Sequence, residues 1–234
     1  MKDSEAYLEK VKRELTEDAE TPLEGMSEFF TTRVDSYESH MLGFFRSTYR
    51  RFADLVPKHT EEMLDIGCGT GLELDEIFRI LPGVRVTGVD LTESMLDVLS
   101  RKHPNKHLEL IRGNFLDVPL RNEAFDTVIS FEALHHFTSD QKRLLYRKVY
   151  DAIKPEGCYI ECDYVAECEE EANMYFEDRE KRRIAAKLPE DALVHYDTPL
   201  TSRRQRELLM EAGFANVILA HEEEATVILI AEKR

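Results

Sequence analysis

The sequence predicts an α/β protein built on an open, mostly parallel sheet with helices on both faces. Three observations carry that prediction. Short apolar runs alternate with helical stretches between residues 63 and 162. A glycine-rich turn joins the first of these runs to the helix after it. The chain closes on two strand-like runs joined by only five residues. Strands alternating with helices of this length require crossover connections, and so a parallel sheet.

Taken in order, residues 4–14 read as a charged helix with Tyr7, Val11 and Leu15 on one stripe. Residues 15–25 hold Pro22 and Gly25 and read as a loop. Helical spacing returns over 27–40 and continues over 42–56, with Phe44, Phe45, Tyr49, Phe52 and Leu55 on the apolar side. The pattern then changes. Met63–Gly67, Val84–Val89, Leu108–Ile111, Phe125–Ser130 and Cys158–Cys162 read as strands. Helices are expected at 71–81, at 92–102 with Thr92 as N-cap, and at 139–153, ending before Pro155. A helix at 202–212 capped by Gly213 leads into strands 216–220 and 226–231, an antiparallel pair. The organisation expected is a helical extension over 1–56 and a main domain over 57–234. An insert over 164–200 leaves the fifth strand. It carries a helical stretch over 167–187 and is placed to act as a substrate lid, because ligands of open α/β sheets bind at the carboxyl ends of the strands.

Composition narrows the function. The chain has 234 residues, 42% of them hydrophobic, which supports a packed core. Its net charge of −16 argues against a surface that grips nucleic-acid phosphates. No run approaches the ~18 apolar residues of a membrane span. The charged first residues lack the apolar centre of a signal peptide. Cys68, Cys158, Cys162 and Cys168 show no C-x-x-C spacing and read as reduced thiols. A cytoplasmic protein without membrane partner, monomer or homodimer, is the expectation.

The turn Asp65-Ile66-Gly67-Cys68-Gly69-Thr70-Gly71 lets a ligand approach bare backbone at a helix start. It is not a dinucleotide fingerprint, because the third glycine position of G-x-G-x-x-G falls on Leu72. No phosphate-cradling G-x-x-x-x-G-K-[ST] run is present. Asp90 ends the second strand about 20 residues beyond the glycines, where a carboxylate accepts both hydroxyls of a ribose.

With these residues the sequence resembles the class I S-adenosylmethionine-dependent methyltransferases of the small-molecule branch. The resemblance rests on LDIGCGTG (64–71), TGVDLTESML (87–96), GNFLDVPL (113–120), FDTVISFEALHHF (125–137) and IKPEG (153–157). It implies a Rossmann-like sheet of seven strands, the last inserted antiparallel beside the fifth. It implies S-adenosyl-L-methionine as cofactor, S-adenosyl-L-homocysteine as product, and a small-molecule acceptor. It implies that Asp65, Gly67, Cys68, Gly69 and Gly71 surround the cofactor's methionine part, and that Asp90 binds its ribose. Leu91 and Met95 would pack on the adenine, and Asn114 with Phe115 would meet its edge; Asn114 departs from the aspartate usual in that place. Ser130 and Phe131 would line the wall near the sulfonium, with Glu132 following, and Tyr37 would fold over the cofactor.

Methyl transfer from a sulfonium is an in-line displacement that needs alignment and a dry site, and a base only if the acceptor must lose a proton. His135 and His136 after the fourth strand, and Tyr164 with Asp163 after the fifth, are the candidates. His195, Tyr196 and Asp197 in the insert serve either as part of a lid or as ties to the body. A zinc set of Cys158, Cys162 and Cys168 with the two histidines yields to the simpler reading of buried small side chains, so no metal is expected. The basic residues 179–183 read as partners of neighbouring acids. The competing functions are an RNA or protein methyltransferase, a binding module without turnover, and a chemistry that remodels the cofactor.

Overall fold

The computed structural model describes residues 4–18 and 21–234. Two N-terminal helices come first, α1 (Ser4–Glu17) and α2 (Met26–Leu55). Strands and helices then alternate: β1 (Glu62–Ile66), α3 (Leu72–Ile80), β2 (Arg85–Asp90), α4 (Glu93–Lys102), β3 (His107–Arg112), β4 (Phe125–Phe131), α5 (Ser139–Ala152) and β5 (Ile153–Tyr164). The chain ends with α6 (Glu169–Ala185), α7 (Ser202–Ala212), β6 (Asn216–Glu223) and β7 (Thr226–Glu232). The seven strands form one sheet in the order β3-β2-β1-β4-β5-β7-β6. Strand β7 runs antiparallel between β5 and β6, and the other pairs are parallel. This is the expected Rossmann-like topology, including the antiparallel strand beside the fifth.

Alternation along each strand sends side chains to two cores. Leu64 and Ile66 of β1 face the layer made with α5 and α7, together with Tyr146, Val149, Leu208 and Leu209. Met63 faces the other layer, with Leu74, Ile77 and Leu99 of α3 and α4 and with Tyr49, Phe52 and Ala53 of α2. Phe131 fixes α2 to the sheet. Its ring stacks on Tyr49 at 4.2 Å and meets Phe45 and Phe52 edge-on. Truncating such a buried aromatic costs about 3–5 kcal/mol.

Several boundaries differ from the sequence expectations. The stretches 27–40 and 42–56 are one continuous helix, because Gly43 sits in open space and interrupts nothing. Strand β5 starts at Ile153, not Cys158. Phe125 pairs with Ile153 and Thr127 with Cys158, so residues 154–157 loop out opposite Asp126 and the strand continues past Pro155. Strand β6 reaches Glu223, which leaves only Glu224 and Ala225 in the hairpin turn, with Glu224 at positive φ. Thr92 is the N-cap of α4, but its hydroxyl makes no cap bond. The expected cap holds at α7, where Gly213 (φ 116°) ends the helix, and Thr201 caps its start by accepting from Arg204 N–H.

Two ties bring the N-terminal segment and the insert together over the carboxyl edge of the sheet. Gly25 and Val194 form an antiparallel bridge, with Met26 N–H donating to Leu193 and His195 N–H to Glu24. Arg182 of α6 donates to the carbonyls of Leu15, Asp18 and Thr21, and Tyr7 donates to Glu171 at 2.9 Å. The insert therefore meets the first helices, and both cover the ends of β1, β2 and β4.

Candidate active site

The turn after β1 is held in shape by β2. Gly67 N–H donates to Val89 O at 2.8 Å. Gly69 N–H donates to Asp90 Oδ2 at 2.9 Å, and Thr92 N–H to Asp90 Oδ1 at 2.7 Å. Gly67 (φ 69°) and Gly69 (φ 47°) adopt left-handed backbone. A Cβ on Gly67 would lie 2.7 Å from that of Ala133, so the turn and the loop after β4 touch through bare backbone. Gly69 is different: a Cβ there meets nothing nearer than the Tyr37 hydroxyl at 3.7 Å. The free side of the turn faces a cavity.

That cavity encloses about 740 Å³ of space, its open mouth included. Gly67 and Gly69 form one end and Tyr37 covers it. Asp90 and Leu91 follow, then Met95, Asn114 and Phe115. Eight of the residues expected at the cofactor thus share one wall. Burial raises the Asp90 carboxyl, and the N–H groups of Thr92 and Gly69 oppose that rise. Each carboxylate oxygen keeps a lone pair beyond these bonds, which is what a vicinal diol needs. Burial likewise holds the Tyr37 phenol protonated.

Five expected residues lie elsewhere. Cys68 turns into the core, its Sγ against Gly88. Gly71 packs on Leu99. Ser130 is buried and shares a 2.7 Å hydrogen bond with the Tyr159 hydroxyl, and Phe131 is occupied under α2. The wall assigned to those two is made by Glu132, Ala133 and Leu134. Asp65 lies fully buried, with no N–H or hydroxyl donor at its carboxyl oxygens and the Glu73 carboxyl beside it. Burial first, then the charge of Glu73, raises its carboxyl well above the usual range. Burial also pushes Glu73 up to about 7. Sequence reading missed Glu73, although its place in the first turn of α3, directly after the glycines, was a usable signal. Asn114 does line the cavity, but its amide is partly engaged: Nδ2 donates to Asp117 and Oδ1 accepts from Leu116 N–H.

The opposite wall carries imidazoles and carboxylates. Glu132 follows β4 with φ 48°, a conformation that costs a non-glycine residue about 1 kcal/mol and recurs at functional sites. His135 and His136 sit on the short helical turn Leu134–His136. His135 Nδ1 lies 2.7 Å from Asp163 Oδ1, and Lys142 Nζ lies 3.5 Å from Asp163 Oδ2. Burial pulls the His135 pKa down, but Asp163 overrides it and carries it up to about 9. Burial and then the His135 charge lower His136. Asp197 of the insert reaches both: its Oδ1 lies 3.1 Å from His136 Nδ1 and 3.8 Å from His135 Nε2. Burial works against the Asp197 anion, but the facing histidines hold its carboxyl far below the usual range. His195 stacks on Phe29 at 3.4 Å, with its ring 4.8 Å from that of His136. This cluster lines a second space of about 1380 Å³ that shares Phe30, Tyr37, Glu132 and His136 with the first. Tyr164 borders neither space; burial raises its phenol and its hydrogen bond runs to Tyr175. Cys158 and Cys162 are packed in the core, and among the described residues no candidate ligand group includes a cysteine.

The glycine turn, the acid closing β2 and the seven-stranded sheet with its antiparallel strand are those of class I S-adenosylmethionine-dependent methyltransferases. Residues 63–157 match the family described as methyltransferase domain. Among curated relatives, it is 34% identical over 105 residues to a demethylmenaquinone methyltransferase of Symbiobacterium thermophilum, covering 43% of this chain and 41% of that protein. It is 26% identical over 174 residues to a carboxy-S-adenosyl-L-methionine synthase of Wolinella succinogenes, covering 69% and 72%. For most of these relatives the chain spans about half of their own length, 54% and 40% in two further cases. Among solved structures, the complex of DhpI with SAH aligns over 88% of this chain and 93% of that one, with a TM-score of 0.66 at 15% identity.

Proposed function

We propose that the protein transfers a methyl group from S-adenosyl-L-methionine to a small-molecule acceptor. The observation that carries this reading is the junction of the two spaces. A cradle sized for a nucleoside, with Asp90 on one side and the bare Gly69 turn at its end, opens at Tyr37 and Glu132 into a second space. The residues fit the cofactor: Asp90 keeps lone pairs for the ribose hydroxyls, and the bare backbone at Gly69 leaves room for the ligand at the turn. When bound, the sulfonium supplies the electrophilic methyl and a neutral leaving thioether.

The chain's own part is alignment and exclusion of water. Tyr37 and Phe30 of α2 cover the junction, and the bridge between Gly25 and Val194 closes the approach from above. Holding a nucleophile and the methyl in line at ~3–3.5 Å supplies several kcal/mol of the barrier. The acceptor's polar group arrives against His135, His136 and Asp197, and its proton is lost there.

Two observations support a small acceptor over RNA or protein. The net charge is −16. Three of the four basic residues of α6 are internally consumed, Arg182 by Asp178 and the Leu15 carbonyl of α1, Arg183 by Glu180, and Arg179 by Glu180 and Ala192 O. Among the described residues no helix is long and apolar enough to cross a membrane. Four free thiols suit a reducing cytoplasm, where we place the protein. Calorimetry with S-adenosyl-L-homocysteine tests the cradle, and its release from pooled metabolites sorted by charge tests turnover. Absence of binding at millimolar nucleoside would remove the reading. Binding without turnover across the pools would leave a binding module.

A further inference from the structure

We propose that His135, His136 and Asp197 form a site for one divalent transition-metal ion, open to the acceptor space. The chemical class is a borderline ion that accepts nitrogen and oxygen donors, such as zinc or iron(II). The inference deepens the proposed methyl transfer in assigning the ion a role, but the binding of the ion stands apart from it.

Geometry comes first. One donor atom from each of the three residues can be chosen so that all lie within 4.8 Å of one another. A metal held at about 2.0–2.1 Å by each donor needs them roughly 3.3 Å apart. Asp197 Oδ1 is already 3.1 Å from His136 Nδ1 and 3.8 Å from His135 Nε2. His136 Nδ1 is buried and meets no partner in hydrogen-bond geometry.

The second observation is the support behind the donors. A metal-bound imidazole gives its other nitrogen to a carboxylate, which fixes the ring and aims the donor. His135 is built this way: Nδ1 is held at 2.7 Å by the fully buried Asp163, and Nε2 is left pointing toward Asp197. Lys142, also fully buried, lies 3.5 Å from the other Asp163 oxygen and balances its charge. Asp197 is fixed from its neighbour, because Thr198 donates its N–H and its hydroxyl to the carbonyl of His135. The two segments that carry the donors are thus tied to each other, and the His135 ring is fixed, before any ligand arrives.

A competing set, Glu132 with His135 and Asp163, is less suitable. It would use a carboxylate already bonded to His135 and would place the ion beside the Lys142 ammonium. The sequence pointed to no metal because the only set it offered was built on cysteines. Asp197 lies 61 residues beyond His136, and no spacing rule joins them. Two imidazoles and one carboxylate leave coordination positions free on the side of the acceptor space. An acceptor oxygen bound there becomes more acidic, and its proton passes to solvent at the mouth. The acceptor class this favours carries a hydroxyl or enol oxygen.

The test uses the full chain, stripped with a chelator and titrated with Co²⁺ in place of the spectroscopically silent zinc. One ion per chain is expected, with a visible d–d band and no thiolate charge-transfer band. Asp197→Asn should weaken Co²⁺ binding by at least ~30-fold, and Asp163→Asn by ~10–100-fold, the range for a supporting carboxylate. Asp197→Asn should retain its affinity for S-adenosyl-L-homocysteine, which shows that this half-exposed residue has been changed in a folded protein. Absence of the band, a thiolate band, or unchanged titration in Asp197→Asn overturns the site. A protein that binds Co²⁺ as stated but ignores the nucleoside keeps the metal site and loses the methyltransferase reading instead.

Discussion

Thr198 donates to the carbonyl of His135 twice, through its N–H at 2.6 Å and its hydroxyl at 3.1 Å. The two residues are 63 apart in sequence and belong to different segments, the turn after β4 and the insert after β5. Their contact sets where Asp197 stands. Thr198 is almost fully buried, so each of these bonds replaces water that cannot return. The insert is therefore docked at its far end by a specific pair, besides the bridge from Val194 to Gly25. Thr198→Val removes the hydroxyl bond and keeps the shape. We expect a loss of about 1 kcal/mol in stability by urea titration. Turnover with an identified acceptor should fall further than the affinity for S-adenosyl-L-homocysteine, because Asp197 loosens while the cradle is untouched. Equal losses in both would place the effect in the fold alone.

Asp90 makes a second prediction. Its carboxylate both ties Gly69 and Thr92 together and keeps lone pairs toward the cavity. Asp90→Asn keeps one acceptor oxygen and loses the charge. Binding of S-adenosyl-L-homocysteine should weaken by about 1–3 kcal/mol, the scale of a charge-assisted hydrogen bond to a diol. Calorimetry on the variant checks this, with circular dichroism showing the helices intact. Unchanged affinity would mean that the carboxylate serves the turn only.

Gly69 separates backbone strain from blockage. At φ 47° any side chain costs about 1–2 kcal/mol of stability, whatever the space around it. A single Cβ has room, since the nearest atom is 3.7 Å away. Gly69→Ala should therefore lower the melting temperature by a few degrees and keep most nucleoside binding. Gly69→Val sends its methyl groups into the cradle beneath Tyr37 and should reduce affinity by more than ~30-fold at similar stability. The comparison fails if both substitutions affect binding equally.

These two positions also show why part of the site was legible in the sequence. The glycine turn and Asp90 are local features: bare backbone and a strand-end acid are fixed by residues within one β-α-β unit. The same holds for the seven strands, whose alternation needed no tertiary knowledge. The far wall was not legible in this way. Which residue faces the cavity depends on where β4 ends: Ser130, still in the strand, bonds Tyr159, while Glu132, just past it, takes a left-handed step and lines the cavity. Tyr164 follows β5 as expected, yet its hydrogen bond goes to Tyr175, away from the cavity. The contact of Asp197 with His136 joins segments that no periodicity relates. Glu73 belongs to the same category, because its partner Asp65 lies across the turn and only burial makes the pair unusual.

That buried pair supplies the last prediction, a stability that falls as pH rises. Glu73 has a folded pKa of about 7 against an unfolded value of 4.5, and burial is the main cause. Glu161, buried among Tyr146 and Gln205, is raised to about 7 as well, again chiefly by burial. Each group binds its proton more tightly when folded. Between pH 4.5 and 7 the native state therefore holds more protons than the unfolded chain, so the unfolding free energy drops as pH rises. The favourable contribution is complete below about pH 4.5 and is lost as pH climbs through 7. Each raised carboxyl accounts for a few kcal/mol at most, since one pKa unit is about 1.4 kcal/mol. For a chain of this size, that is on the order of 5 °C or more in melting temperature. Thermal unfolding of the ligand-free protein should show a higher midpoint at pH 6 than at pH 8. In Glu73→Gln the slope should flatten, because one titrating group is gone while its volume remains. A midpoint that rises from pH 6 to 8, or a slope indifferent to Glu73→Gln, would show that the acid beneath the glycine turn is already ionised in the folded chain.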